Sequence, residues 1–337
     1  MSSRRVVVAA FGGPEVLEIE TRPVPVPGPG EALIRVLASG AAFTDVMIRK
    51  GLYPDIRDRP PFGLGYDMVG RIEALGPGAE GVAVGQMVAD LTTLGANADH
   101  ICRPADGLTQ VPDGLDPVRA VAATLSGVTA WQMLHRVARL DRGQRLLIHG
   151  AGGAVGTAML HLARDAGIAA VGVDRMAKHE AIAALGAVPV DADAPDLEEA
   201  LAAAAPDGVD AAFDPLGGPS LARSLHVLRP GGMLVAFGFY DQVLGQGGHL
   251  SWDILRLTLW DLLPNGHATA FYSIGAMRRQ HPAWFRADLA EVLDRVAKGR
   301  IDPPVGLVLP LDAVAQAHRL IEEGSVAGKI VLTPDGL

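Results

Sequence analysis

One stretch constrains this chain more than any other: Arg145-Leu-Leu-Ile-His-Gly-Ala-Gly-Gly-Ala-Val-Gly156, an aliphatic run that enters glycines and leaves as an amphipathic segment. After the turn, Val155, Met159, Leu162 and Ala166 recur at helical spacing, so one helix face can pack on a sheet. Gly150, Gly153 and Gly156 stand three apart and leave no side chain where the turn must be tight. The first N–H groups of such a helix point at an anion, and a pyrophosphate is the ligand this geometry suits. Val171-Gly-Val-Asp174 then closes a second apolar run, with an acidic residue where a carboxylate would hold a ribose. Strand, glycine turn, helix, strand and acid in this order predict a dinucleotide-binding βαβ unit. Gly150, Gly152, Gly153, Ala154, Val155 and Gly156 are its candidate phosphate-binding residues.

At 337 residues the chain is long enough for two domains. Hydrophobic residues make up 49% against 20% charged, which excludes a disordered chain. The net charge of −9, without any block of Lys and Arg, argues against a nucleic-acid surface, because phosphate neutralisation needs clustered cations. Cys102 is the sole cysteine, so neither an intrachain disulfide nor a cysteine-rich zinc site can form. Near the amino terminus only six apolar residues precede Gly12-Gly13-Pro14, too few for a secretory leader. The longest stretch free of charged residues and histidine, Ala120 to Leu134, is too short and too polar for a membrane span. A cytoplasmic protein is the expectation.

Residues 1–118 read as short strands between Pro and Gly turns, such as Glu31 to Leu37 and Gly70 to Leu75, an all-β and barrel-like pattern. Residues 119–265 alternate strand and helix, with strands at 145–149, Ala169 to Val173, Val209 to Phe213 and Met233 to Phe237. That rhythm predicts a doubly wound parallel sheet. After about 265 it stops; a helix at Trp284 to Lys298 and a strand at Gly328 to Leu332 then return to the first domain, so 266–337 joins 1–118.

This order, with Arg49-Lys-Gly-Leu-Tyr-Pro54, Gly63-Leu-Gly-Tyr-Asp-Met-Val-Gly70, Phe213-Asp-Pro-Leu-Gly-Gly218 and Leu228-Arg-Pro-Gly-Gly-Met-Leu-Val235, resembles the medium-chain dehydrogenase/reductase superfamily over nearly the whole length. Within it the chain is most similar to the zinc-independent quinone oxidoreductase and enoyl reductase branch. The resemblance implies an α/β protein: a Rossmann domain at 119–265 and a β-rich GroES-like catalytic domain at 1–118 and 266–337. It also implies an NAD(P)H cofactor, a quinone or α,β-unsaturated carbonyl as substrate, and a homodimer through an edge strand around Ala268 to Ser273. In the zinc-dependent members a Cys-x-x-Asp, a Gly-His-Glu and a later Cys supply the catalytic metal; Ala42, Tyr66 and Leu125 stand at the matching positions, and none can ligate zinc. Asp99, His100 and Cys102 are the other conceivable metal group, and two half-buried strand residues beside a turn are the simpler reading.

The same resemblance assigns candidate roles. Tyr53 takes the position of a substrate-side tyrosine and is the first candidate proton donor, with Thr44 the second; a capped turn and a helix cap are their structural alternatives. Ala42 departs from the usual Asn of the branch. Asp67 is read as a buried carboxylate holding backbone. The nicotinamide end is expected near Phe237, Gly238, Phe239 and Phe271, with Lys329 either in contact with it or solvated on its strand. For the cofactor's adenosine end two signals oppose each other: Asp174 favours NADH by repelling a 2′-phosphate, and Arg175 and Lys178 favour NADPH by pairing with it. Two other functions compete, a metal-free ketoreductase or dehydrogenase and a non-catalytic relative that binds nucleotide or an apolar ligand.

Overall fold

A computed structural model describes residues 2–243, 245, 250–264 and 266–334. The chain divides into two compact units, Met1–Val128 with Ala283–Leu337, and Thr129–Pro282. In the first, the strands are β1 (Ser2–Val8), β2 (Leu17–Pro23), β3 (Glu31–Ala41), β4 (Phe62–Gly63), β5 (Asp67–Leu75), β6 (Met87–Leu91), β7 (His100–Pro104) and β8 (Thr109–Gln110). Helix α1 (Phe43–Arg49) follows β3, and α2 (Pro117–Gln132) closes the segment. The alternation in β3 decides its inner face: Ala32, Ile34 and Val36, two apart, pack with Met68, Ile72, Val88 and Ile101 in one buried cluster.

The second unit holds β9 (Arg145–His149), α3 (Ala154–Ala166), β10 (Ala169–Asp174), α4 (His179–Ala184), β11 (Val188–Asp191), α5 (Leu197–Ala204), β12 (Val209–Asp214), α6 (Pro219–His226), β13 (Leu228–Ala236), α7 (Tyr240–Val243), α8 (Leu250–Leu262), β14 (Ala268–Phe271) and α9 (Ile274–Gln280). Its sheet has the order β11-β10-β9-β12-β13-β14, every neighbouring pair parallel. Numbered from β9 this is 3-2-1-4-5-6, the Rossmann order, and it reverses direction between β9 and β12. Leu147, Val171, Val190, Val209 and Leu234 form the core under it. Residues 156–163 of α3 are all buried, a wider surface than the single face its spacing predicts.

The chain then returns through α10 (Pro282–Ala297), β15 (Val305–Pro310), α11 (Val314–Glu323) and β16 (Lys329–Thr333). β16 lies parallel to β15 and antiparallel to β3, with Ile330 opposite Ala41 and Leu332 opposite Ser39, so the last strand completes the first unit's sheet.

The wound pattern does not stop at 265: β14 is the sixth parallel strand. At four residues it was too short to announce itself by periodicity. The first junction likewise falls inside α2, whose Leu125 N–H donates to Asp67 and whose Gly127 lies against Val292, both in the first unit. Among the described residues no helix is long and apolar enough to cross a membrane.

Candidate functional site

In an open parallel sheet, ligands bind outside the carboxyl ends of the strands where the order reverses. Here that point is the turn after β9 and the turn after β12. Gly150 has φ +68°, a left-handed conformation a side chain would strain, and its Cα faces the Pro215 ring. A Cβ on Gly156 would stand 2.3 Å from the Gly150 oxygen and 2.6 Å from Ala151, so only glycine lets α3 start this close to the turn. Gly153 caps α3 and offers no side-chain acceptor to its first N–H groups, which leaves the helix end suited to an anion. The backbone after β13 joins from the other side, with Gly238 packed on the Pro215 carbonyl and the Tyr240 N–H donating to that same oxygen at 2.9 Å. Asp214 stiffens the middle turn: its carboxylate accepts the N–H groups of Leu216 and Gly217 and the hydroxyl of Ser224. Sequence reasoning read Phe213 to Gly218 only as a mark of resemblance. A turn-forming Asp-Pro-x-Gly-Gly directly after a strand was the signal for its place in the site.

Asp174 ends β10 as expected, yet its carboxylate is turned to the protein. One oxygen accepts the Gly152 N–H at 2.8 Å; the other accepts the Arg175 N–H at 2.8 Å and lies 3.7 Å from the Lys178 ammonium. The Lys178 methylenes lie over Gly152, while Arg175 is exposed. Asp174 and Lys178 therefore brace the glycine turn together; of the three groups weighed over the 2′-phosphate, these two form an ion pair and Arg175 is exposed. Phe239 is buried and stacks on Phe271, centroids 5.1 Å apart and planes at 27°, with Phe271 42% exposed. The Phe237 N–H donates to the Asp214 carbonyl at 3.0 Å, so this segment and the β12 turn are fastened to each other.

The first unit builds its polar cluster from side chains. Asp67 is fully buried; both of its oxygens lie 3.2 Å from the Lys329 ammonium, and one accepts the Leu125 N–H at 3.3 Å. Lys329 is 1% exposed, which corrects the expectation of a solvated strand lysine; its ammonium is engaged by Asp67 in the first unit. Asp45 sits in the same nest. One of its oxygens accepts the Ala42 N–H at 2.9 Å, and the other has no hydrogen-bond partner. Burial, reinforced by the neighbouring Asp67 carboxylate, pushes the Asp45 carboxyl up to about 7. The cap expected of Thr44 at the start of α1 is supplied by Asp45, and Thr44 is half-buried on the first turn.

Tyr53 meets Tyr66, a residue considered at first only for the ligand it replaces. Their hydroxyls are 2.9 Å apart, and the rings meet edge to face with centroids at 5.8 Å. The conceivable metal group disperses: Asp99 pairs with Arg4 at 3.0 Å and His100 with Glu73 at 3.3 Å, while burial and the nearby Glu31 carboxylate push the Cys102 thiol up. Among the described residues no three His, Cys, Asp or Glu side chains stand where they could share a metal ion.

Comparison with known proteins agrees with this architecture. The alcohol dehydrogenase GroES-like domain family matches residues 28–113, and the zinc-binding dehydrogenase family matches residues 185–332. A 2-haloacrylate reductase from Burkholderia sp is 30% identical over 348 aligned residues, covering 97% of this chain and 98% of the relative. The chain belongs to the medium-chain dehydrogenase/reductase superfamily.

Its similarities inside that superfamily lie in the zinc-independent branch. The solved quinone oxidoreductase of Escherichia coli complexed with NADPH superposes with a TM-score of 0.87 at 25% identity, covering 98% of this chain and all of that one. The synaptic vesicle membrane protein VAT-1 homolog of Rattus norvegicus is 29% identical over 98% of this chain and 84% of the relative.

Proposed function

We propose that the chain is an NAD(P)H-dependent reductase of quinones or α,β-unsaturated carbonyls. The observation that carries the reading is the uncapped amino end of α3 at the sheet's reversal point, facing turns in which added side chains would collide with backbone. Gly150, Gly152, Gly153, Ala154, Val155 and Gly156 would hold the pyrophosphate; Asp174, Arg175 and Lys178 the adenosine ribose; Phe237, Gly238, Phe239 and Phe271 the nicotinamide end. The bound cofactor would supply a hydride to the electrophilic carbon of the acceptor. Charge then spreads onto the acceptor's oxygen as an enolate or hydroquinone anion, which needs donors and no Lewis acid. Tyr53 supplies the proton, with Thr44 or water as the rival source. Lys329 acts through Asp67, holding the start of β5 next to Tyr66.

Two of the relatives support the acceptor class. A 2-haloacrylate and a quinone are both conjugated acceptors, and each names a reductase or oxidoreductase similar to this chain. Ala42, in place of the usual Asn, favours a second reading, nucleotide or ligand binding without turnover. A panel of quinones and enones, followed by loss of reduced-nicotinamide absorbance with NADH and with NADPH, separates the two. Turnover is expected, and Tyr53→Phe should lower kcat by roughly 10²- to 10⁴-fold while cofactor affinity holds. Absence of turnover across the panel with bound cofactor would favour the second reading. β14 is one of the two edges of the described sheet, with β11 the other, and we read it as the edge where a second copy pairs; light scattering at a dimer's mass is the expected result.

A further inference from the structure

We infer that Tyr66 is a positioning residue for proton delivery: its buried hydroxyl donates to the Tyr53 oxygen and stabilises the phenolate left when Tyr53 gives up its proton. The inference rests on the reductase reading for the acceptor, and on the geometry of the first unit for everything else.

Tyr66 is held more firmly than packing alone requires. The segment that carries it is pinned on successive backbone groups: the Leu64 N–H donates to the Val6 carbonyl, and the Leu64 and Gly65 carbonyls accept the N–H groups of Asn97 and Ala96. The Tyr66 carbonyl accepts from Thr92 at 2.8 Å and from Thr93 at 3.3 Å, and the Thr92 hydroxyl donates to the Gly65 carbonyl. Thr93 reaches that position with φ +68°, a left-handed conformation that a β-branched residue keeps only where its neighbours over-determine it. One residue beyond Tyr66, Asp67 is locked by Lys329 and the Leu125 N–H. The ring is 2% exposed, and its hydroxyl meets that of Tyr53, whose own ring is half-buried.

Two phenols 2.9 Å apart share one proton along the contact. When Tyr66 donates, the Tyr53 O–H is the bond that can be given to an acceptor. In that step the Tyr53 O–H breaks and a new C–H or O–H forms on the reduced substrate; the electron pair stays on the Tyr53 oxygen, and solvent water returns the proton afterwards. Throughout, the Tyr66 O–H bond stays intact. Its contact becomes charge-assisted and strengthens as charge develops, which is how a fixed donor lowers a barrier. An edge-to-face ring pair kept for packing alone would do without both hydroxyls.

Tyr66→Phe, Tyr53→Phe and the double variant test this with NADPH or NADH and a panel containing 2-cyclohexenone and 1,4-naphthoquinone. Tyr66→Phe keeps the ring. It should lower kcat about ten- to a hundredfold, the worth of one hydrogen bond to a charged oxygen, with cofactor affinity unchanged and no added loss in the Tyr53→Phe background. A second readout needs no turnover. Protein labelled with ¹³C at tyrosine Cζ carries four signals, from Tyr53, Tyr66, Tyr240 and Tyr272, assigned by the variants. Loss of the Tyr66 hydroxyl should move the Tyr53 titration to higher pH and carry the alkaline limb of the rate profile with it. An unmoved Tyr53 titration, or parental kcat in Tyr66→Phe, overturns the inference. Should the parent reduce nothing in the panel, the reductase reading falls, and the titration still decides whether Tyr66 tunes Tyr53.

Discussion

The glycine turn of the second unit and the buried nest of the first are built in opposite ways. The turn is made of backbone: α3 starts against the reversal after β9 because residue 156 has no side chain, and the reversals after β12 and β13 meet because residue 238 has none. The nest is made of side chains that arrive from far apart, with Asp67 and Lys329 separated by 262 positions and Asp45 buried beside them. A backbone site tolerates change everywhere except where a side chain would be added. A side-chain site fails wherever a partner is removed, because the other partner stays behind in a place water cannot reach.

The sharpest way to break that contrast is to take away Lys329. Lys329→Met leaves a fully buried carboxylate, and removing one member of such a pair costs about 3–5 kcal/mol. Urea denaturation should show that loss, and the double variant Asp67→Asn with Lys329→Met should recover much of it. If the single and double variants were equally unstable, the pair would not be the source of the cost.

The backbone site answers to the reverse change. Gly156→Ala puts a methyl group against the Gly150 carbonyl and Ala151, and neither is a side chain that can swing aside. Overpacking of this sort costs about 1–3 kcal/mol, and a displaced α3 should weaken cofactor binding by roughly tenfold or more in a fluorescence titration. Gly153→Ala is the control for stability, since its methyl would meet only the Gly150 oxygen, at 3.2 Å. Equal losses of stability in the two variants would mean that the turn gives way more easily than its contacts imply.

The same contrast explains what could be read before any coordinates. Gly150, Gly153, Gly156 and Asp174 announce a local device, because glycine spacing, strand and helix lie next to one another along the chain. Four of the six parallel strands were legible, and β11 and β14 were not, because a strand of four residues shows no period. Tyr66 was visible only as a residue unable to bind metal. Its contact with Tyr53 depends on how the segment leading into β5 and the segment after α1 pack, and no spacing rule reports that. Lys329 was legible only as a cofactor contact or a solvated strand lysine for the same reason. Its partner is in β5, and antiparallel pairing of β16 with β3, itself paired to β5, brings the two together.

Within the nest, Asp45 separates charge from packing. In the unfolded chain an aspartate titrates near 3.8, and here burial raises it to about 7. Between those values the folded protein holds the proton more tightly, so this group's contribution falls as pH rises from 3.8 to 7 and is level above. Asp45→Asn keeps an oxygen for the Ala42 N–H and does not titrate. Its stability relative to the parent should be near equal at pH 4 and about 4 kcal/mol greater at pH 8, the worth of a carboxyl raised from 3.8 to about 7. A difference independent of pH in urea melts would assign the effect to shape and not to charge.

The smallest expected effect lies where the two kinds of site overlap, at Asp174. Its carboxylate braces a backbone turn and pairs with Lys178, so on the proposed reading it would act on the cofactor partly through the cation it holds. Asp174→Ser removes a negative charge from the ribose side and frees Lys178 to meet a 2′-phosphate. Both changes favour NADPH. They are offset by the loss of the Gly152 contact, which should weaken both cofactors alike. The ratio of kcat/KM for NADPH over NADH is therefore the quantity to follow, with dissociation constants as the check. A rise of up to about tenfold is expected, equivalent to 1.4 kcal/mol. Lys178→Ala should move the ratio the other way, and in the double variant the Asp174 effect should shrink, because the cation it held is gone. An unchanged ratio in Asp174→Ser, with both affinities reduced equally, would show that the carboxylate serves the turn alone and does not face the ribose.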